Sequence, residues 1–330
     1  MFDRARGSHS DGPKRGYGIR SAIVVALIVG VVIVGVLASE SPSGITATDP
    51  LHTTTAAQSI DPAMFASGSC VAYPPTSGNR GTTVFLDAGH GGIDPGGVGI
   101  TQSGTTIYEA DETLPVELDV MALLRAKGFR VVVSRTSNST VLRLSLDDVS
   151  GQLLTLQGVY DEVAARDVCA NDAKANVLVG IYYDAGASPE NAGSITAYDA
   201  DRSFSSANLA LANLIQNDVL ASMNTQGWSI PNDDVLPDTG LGSLSGDPTL
   251  GGLAGEAAAY DHLLLLGPAM AGYFTTPSEM PGAVIEPLYI TDPFEGSIAD
   301  SIAGQNAIAQ GIASAVEQFL TPPPSTKAAK

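Results

Sequence analysis

From Thr82 to Phe319 the sequence alternates short apolar runs with longer stretches whose apolar residues recur every three to four positions. That alternation limits the fold more than any other feature, because strands and helices in turn build a sheet covered by helices. Thr82–Leu86, Phe129–Ser134, Val177–Tyr182, His262–Leu266 and Ala283–Glu286 read as strands. Leu114–Lys127, closed by Gly128, reads as a helix, as do Val163–Lys174, Ala207–Met223 and Ser297–Phe319. The expectation is a single α/β domain over residues 81–320, with a mostly parallel or mixed central sheet flanked by helices on both faces. Ser137–Tyr160 and Asn232–Glu256 are rich in Gly, Ser and Asp and read as long loops, which tend to be functional or mobile.

Ahead of the domain, Ser21–Ala38 carries no charge and is almost wholly apolar. As a helix it would extend about 27 Å, close to the thickness of a bilayer core. Five basic residues against two acidic ones precede it, which places the N-terminus in the cytoplasm. The reading is a cytoplasmic basic segment (1–20), an N-terminal transmembrane helix serving as signal anchor (21–38), a flexible extracytoplasmic linker (39–80) and a loose tail (321–330). Localisation is then a single-pass cytoplasmic-membrane protein with its domain outside, or a secreted one if cleavage occurs at Ala38-Ser39. The chain has 16 Lys and Arg against 35 Asp and Glu, so its body repels phosphate backbones and nucleic acid is excluded as a partner. Its two cysteines, Cys70 and Cys169, both fall in the exported part and form a candidate disulfide, with two buried thiols as the alternative.

Chemistry concentrates in Val84–Gly99, VFLDAGHGGIDPGGVG. A strand ends at Asp87, and His90 follows in a loop holding Gly89, Gly91, Gly92, Gly96 and Gly97. Glycines of this density let the backbone approach a ligand closely, at the sheet edge where α/β proteins place their sites. A serine hydrolase is not indicated: GSLSG at Gly242–Gly246 has Leu244 where a nucleophile elbow needs Ser, and Cys169 sits in an expected helix without a nearby His.

The Val84–Gly99 run resembles the opening strand and loop of the zinc-dependent N-acetylmuramoyl-L-alanine amidases (the amidase type 3 catalytic domain). Further similarities follow in order: Glu109 before the helix and strand that end at Arg135, then Arg166, Asn171 and the strand Val177–Tyr182, then PGAVIEPLYITDP at Pro281–Pro293. The resemblance implies zinc as cofactor, His90 and Glu109 as metal ligands, and Glu286 as the catalytic base. It implies a hydrolase that cuts the amide between N-acetylmuramic acid and L-alanine through a metal-activated water, with glycan-peptide strands of peptidoglycan as partner. The family's second histidine ligand falls at Tyr182, a phenol that binds zinc only once ionised. Asp184, two residues on, is a possible substitute, and His262 is the other histidine of the domain. The alternative function is an impaired relative that binds peptidoglycan or regulates another cell-wall hydrolase.

Overall fold

The computed structural model describes residues 57–60, 63–239, 241 and 259–321. The expected membrane span 21–38, the basic segment before it and the tail after residue 321 lie outside the described residues. Among the described residues no helix is long and apolar enough to cross a membrane.

The strands are β1 (Gln58–Ser59), β2 (Ser69–Tyr73), β3 (Thr83–Ala88), β4 (Val98–Ile100), β5 (Thr106–Tyr108), β6 (Arg130–Arg135), β7 (Val149–Ser150), β8 (Leu153–Leu154), β9 (Val177–Ile181), β10 (Ser194–Tyr198), β11 (Asn232–Pro237) and β12 (Gly282–Glu286). Eight of them form one mixed sheet in the order β1-β2-β6-β3-β9-β12-β10-β11, and β4-β5 and β7-β8 are small hairpins. The centre, β6-β3-β9-β12, is parallel. β2 joins it antiparallel on one side and β10 on the other. The helices are α1 (Glu109–Ala126), α2 (Leu156–Asp172), α3 (Ser205–Asn224), a short one at Pro293–Ala299 and a C-terminal one at Ile302–Leu320.

The central strands are apolar on both faces because both are covered. Val84 and Leu86 of β3 pack with Val116 and Val120 of α1, Leu211 of α3 and Ile308 of the C-terminal helix. Phe85, between them, faces Ala165 and Cys169 of α2 and the Leu263–Leu266 turn. Cys169 is joined to Cys70 of β2 by a disulfide with a Cα–Cα distance of 5.7 Å, which ties α2 to the outer strands.

Four sequence expectations need correction. Ser69–Tyr73, inside the expected linker, is a buried sheet strand, so the domain begins before residue 80. Asn232–Pro237, inside an expected loop, is the edge strand β11. His262–Leu266 is a turn and not a strand; its leucines are buried, so the apolar run reflects burial without strand pairing. The single expected helix Ser297–Phe319 is two, because Asp292 caps one start at Glu295 N and Ser301 caps a second at Gly304 N.

Candidate functional site

β3, β9 and β12 run parallel and end together, placing the loop after β3, the residues after Ile181 and Glu286 at one edge of the sheet. Two buried arginines shape that edge. Arg135, ending β6, donates from Nε to Ala88 O (3.3 Å) and from Nη2 to Gly89 O (3.1 Å) and Ala110 O (2.6 Å). Arg166 of α2 donates to Ala88 O (2.8 Å) and His90 O (2.9 Å), and pairs with Asp87 and with Glu162 at 3.1 Å. Three successive carbonyls are thus fixed, which holds His90 at φ 60, a conformation few non-glycine residues adopt. Gly96 closes the loop over it: a Cβ there would lie 2.6 Å from His90 Cδ2 and 2.7 Å from Glu109 Oε2.

His90 stands between two carboxylates. Its Nδ1 meets Asp94 Oδ2 at 2.8 Å, and its Nε2 lies 3.2 Å from Glu109 Oε2. The second contact lacks hydrogen-bond geometry, so Nε2 is a buried nitrogen without a hydrogen-bond partner. Burial by itself lowers the His90 pKa, yet Asp94 and Glu109 outweigh it and hold the imidazole well above its usual value. For Asp94, burial works upward but His90 prevails, bringing the carboxyl down to about 2. Glu109 is the first residue of α1, which begins five residues before the expected Leu114 start. Its Oε1 accepts from Tyr183 N (2.9 Å) and its Oε2 from Gly97 N (2.8 Å).

Glu286, at the end of β12, is buried and its Oε2 has no hydrogen-bond partner. Burial, then the charges of Asp184 and Glu109, push its carboxyl well above the usual range. Asp184 Oδ2 is a third buried orphan, and burial raises this carboxyl too.

Tyr182 does not turn its hydroxyl toward His90. Its OH donates to Asp87 Oδ2 at 3.0 Å, and its ring meets the imidazole edge-on at 5.5 Å between centroids. Gly89 makes room for this ring, since a Cβ there would come within 2.5 Å of it. Burial, and then Asp87, raise the Tyr182 pKa well above that of an ordinary phenol, so the hydroxyl keeps its proton.

These atoms test whether zinc fits. Two ligands about 2 Å from a shared tetrahedral ion sit roughly 3.3 Å apart, and His90 Nε2 and Glu109 Oε2 are 3.2 Å apart without a hydrogen bond. Asp94 orients the imidazole from behind, as a carboxylate does for metal-bound histidines. Two ligand positions therefore fit. Among the described residues, the group of three His, Cys, Asp or Glu with ligand atoms all within 4.8 Å is Asp199, Asp238 and His262, and Asp184 is not in such a group with His90 and Glu109. His262 is remote from that pair. β10 is antiparallel to β12, with Ile195 opposite Glu286, so Asp199 and its neighbour His262 lie at the other edge of the sheet.

The sequence pointed to His90, Glu109 and Glu286, and the structure brings them to one edge. Asp94 stands in the same glycine-rich motif, four residues after His90, a spacing that is its only sequence signal as partner of the imidazole. The roles of Arg135 and Arg166 had no local signal, since a buried arginine on carbonyls is set by tertiary contacts.

A family model described as N-acetylmuramoyl-L-alanine amidase matches residues 84–318. The N-acetylmuramoyl-L-alanine amidase AmiC of Neisseria meningitidis serogroup B is 24% identical over 245 residues, 73% of this chain and 53% of that protein. The probable N-acetylmuramoyl-L-alanine amidase AmiB of Haemophilus influenzae is 31% identical over 112 residues, 34% of this chain and 21% of that protein. The chain thus spans no more than about half the length of these curated relatives. Among solved structures, the CwlD amidase from Clostridioides difficile, in complex with the GerS lipoprotein, has a TM-score of 0.52 at 20% identity, covering 72% of this chain and 98% of that one. An N-acetylmuramoyl-L-alanine amidase from Clostridium difficile 630 has a TM-score of 0.50 at 21% identity, covering 75% and 100%. These two likenesses concern the fold, and the family model matches a span of sequence that includes positions 90, 109 and 286. The chain belongs to the N-acetylmuramoyl-L-alanine amidase family.

Proposed function

We propose that the domain hydrolyses the amide bond between N-acetylmuramic acid and the L-alanine of the peptidoglycan stem peptide. The observation that carries this reading is the convergence of His90 Nε2 and Glu109 Oε2 beside Glu286, whose carboxyl feels the charges of both. His90 and Glu109 are the residues that would hold zinc, which when bound would lower the pKa of a water or polarise the scissile carbonyl. Glu286 handles the proton. It takes one from the attacking water and delivers it to the nitrogen of L-alanine as the C–N bond breaks. Arg135 and Arg166 keep the His90 backbone fixed throughout. The apolar run 21–38 would tether the domain on the outer side of the cytoplasmic membrane, within reach of the wall.

A second reading has its own observation. With Tyr182 hydrogen-bonded to Asp87, the third ligand position offers a protonated phenol that faces elsewhere. A domain so altered would bind glycan-peptide strands, or regulate another hydrolase, without cutting. Incubating the zinc-supplemented full chain with purified peptidoglycan and counting new L-alanine amino termini separates the two. Release supports the hydrolase; co-sedimentation with the wall but no release supports the binder.

A further inference from the structure

The edge of the sheet opposite His90 carries a second, fully assembled set of ligand atoms. Asp199 follows β10, Asp238 follows β11, and His262 lies in the turn before the buried leucines 263–266. Asp199 would continue the antiparallel register beyond the last β10-β12 pair, Ala197–Val284, so it lies about 13 Å along the strands from the level of Glu286. One ligand atom from each of the three residues lies within 4.8 Å of the others. Both aspartates are fully buried and the His262 side chain is 11% exposed.

Each carboxylate is anchored through one oxygen and presents the other. Asp199 Oδ1 accepts from Asp201 N (2.7 Å) and Arg202 N (2.9 Å), leaving Oδ2 at 3.0 Å from His262 Nδ1. Asp238 Oδ2 accepts from Leu263 N (3.1 Å), leaving Oδ1 at 3.3 Å from the same nitrogen. One Nδ1 proton can satisfy only one of them. Asp199 Oδ2 is accordingly a buried oxygen without a hydrogen-bond partner, aimed into the cluster, and such an atom costs free energy unless something positive meets it.

The nearest fixed cation does not serve that purpose. Arg202 spends its guanidinium on Leu266 O (3.0 Å), Gly267 O (2.8 Å) and Ser278 O, and stacks on Phe204 at 4.7 Å. Asp167 of α2, also buried and without a hydrogen-bond partner for either oxygen, adds no fixed negative charge: burial, against the pull of Arg202, holds its carboxyl well above the usual range.

We propose that Asp199, Asp238 and His262 form a structural site for a divalent transition-metal cation, zinc-like in its preference for one imidazole and two carboxylates, that fastens the 261–267 turn to the ends of β10 and β11. Mixed nitrogen and oxygen ligands select such ions over magnesium or calcium, which take oxygen alone. The ion would join residues 24 apart in sequence, Asp238 and His262, to the sheet, so binding would report as stability of the domain. The exposure of the His262 side chain leaves a path for entry.

The test uses the full chain carrying His90→Gln, which removes the nitrogen ligand of the other edge. After chelation, zinc is restored and excess removed, and bound metal is counted beside the thermal midpoint. The expected result is about one zinc per chain and a midpoint raised by several degrees. Adding Asp238→Asn or His262→Gln should remove both effects, and magnesium should reproduce neither. A His90→Gln chain that holds no zinc, or the same amount with and without Asp238→Asn, overturns the proposal. If the added substitutions prevent folding, hydrogen exchange on the wild-type chain decides: zinc must slow the amides of 199–202 and 261–266, and unchanged exchange there overturns the site.

Discussion

The two edges of the sheet each set a histidine against carboxylates, and they differ in what stands third. At the His90 edge the neighbour is Tyr182, whose ring meets the imidazole and whose hydroxyl is committed to Asp87. At the His262 edge the third place belongs to a buried aspartate whose free oxygen points inward. The less complete ligand set is the one with the features of catalysis: a glycine-rich loop, a carboxylate oriented behind its histidine, and a buried glutamate of raised pKa. The fuller set lacks the glycine-rich loop and the glutamate; it has Asp201 at 3.7 Å from His262 Nε2, backbone anchors and a turn to hold in place. A count of ligands therefore does not locate the chemistry. Access, a proton carrier and a rigid loop do, and at the His90 edge Arg135 and Arg166 supply the rigidity.

Removing that rigidity gives the largest expected effect on stability. Arg166→Met leaves Asp87 and Glu162 as buried charges without their partner and frees the carbonyls of Ala88 and His90. A loss of about 3–5 kcal/mol in urea unfolding is expected, and a loss below 1 kcal/mol would show that the loop does not depend on the arginine. Next comes the Cys70–Cys169 bond, which holds the helix bearing Arg166. Its replacement by two serines should cost about 2–4 kcal/mol in the same measurement. Tyr182→Phe then deletes one hydrogen bond to a carboxylate, worth about 1.5–3 kcal/mol, while Tyr182→His should tighten zinc binding at the His90 edge alone. Equal tightening at both edges, read from metal titration, would erase the contrast between them.

The last effect is one of pH and belongs to Glu117, which sits behind the His90 loop and accepts from Ala88 N and from Ser134. Burial first of all, against the pull of Arg135, puts its carboxyl at about 8. A group whose folded pKa is raised favours the fold fully below its ordinary value and loses that contribution as pH climbs through the folded one. The wild type should therefore lose stability relative to Glu117→Gln between about pH 5 and pH 9. Parallel melting curves across that range would contradict the assignment.

Much of this was legible in the sequence. The central strands β3, β6, β9 and β12 stood out as apolar runs because both their faces are covered, and the glycines around His90 announced a close approach of backbone to site. The outer strands were hidden for the opposite reason. β11 is an edge strand, NDDVLP, whose acidic residues and proline suit an exposed edge and imitate a loop. β2 lies among Ser, Thr, Gly and Pro and is recognisable only by its pairing with β6. The run HLLLL carries enough apolar residues for a strand, yet a short buried run has no periodicity to separate strand from turn. The hydrogen bond of Tyr182 to Asp87 had no local signal, because it joins residues 95 apart in sequence and required the fold.

The central claim is hydrolysis governed by Glu286 at the His90 edge. The most direct measurement compares the zinc-supplemented full chain with its Glu286→Gln form on purified peptidoglycan, counting L-alanine amino termini released over time. The account predicts release by the wild type and a fall of about 100-fold or more on substitution, with wall binding retained. Release that survives Glu286→Gln, or a wild-type chain that binds zinc through His90 and the wall yet releases nothing, would contradict it.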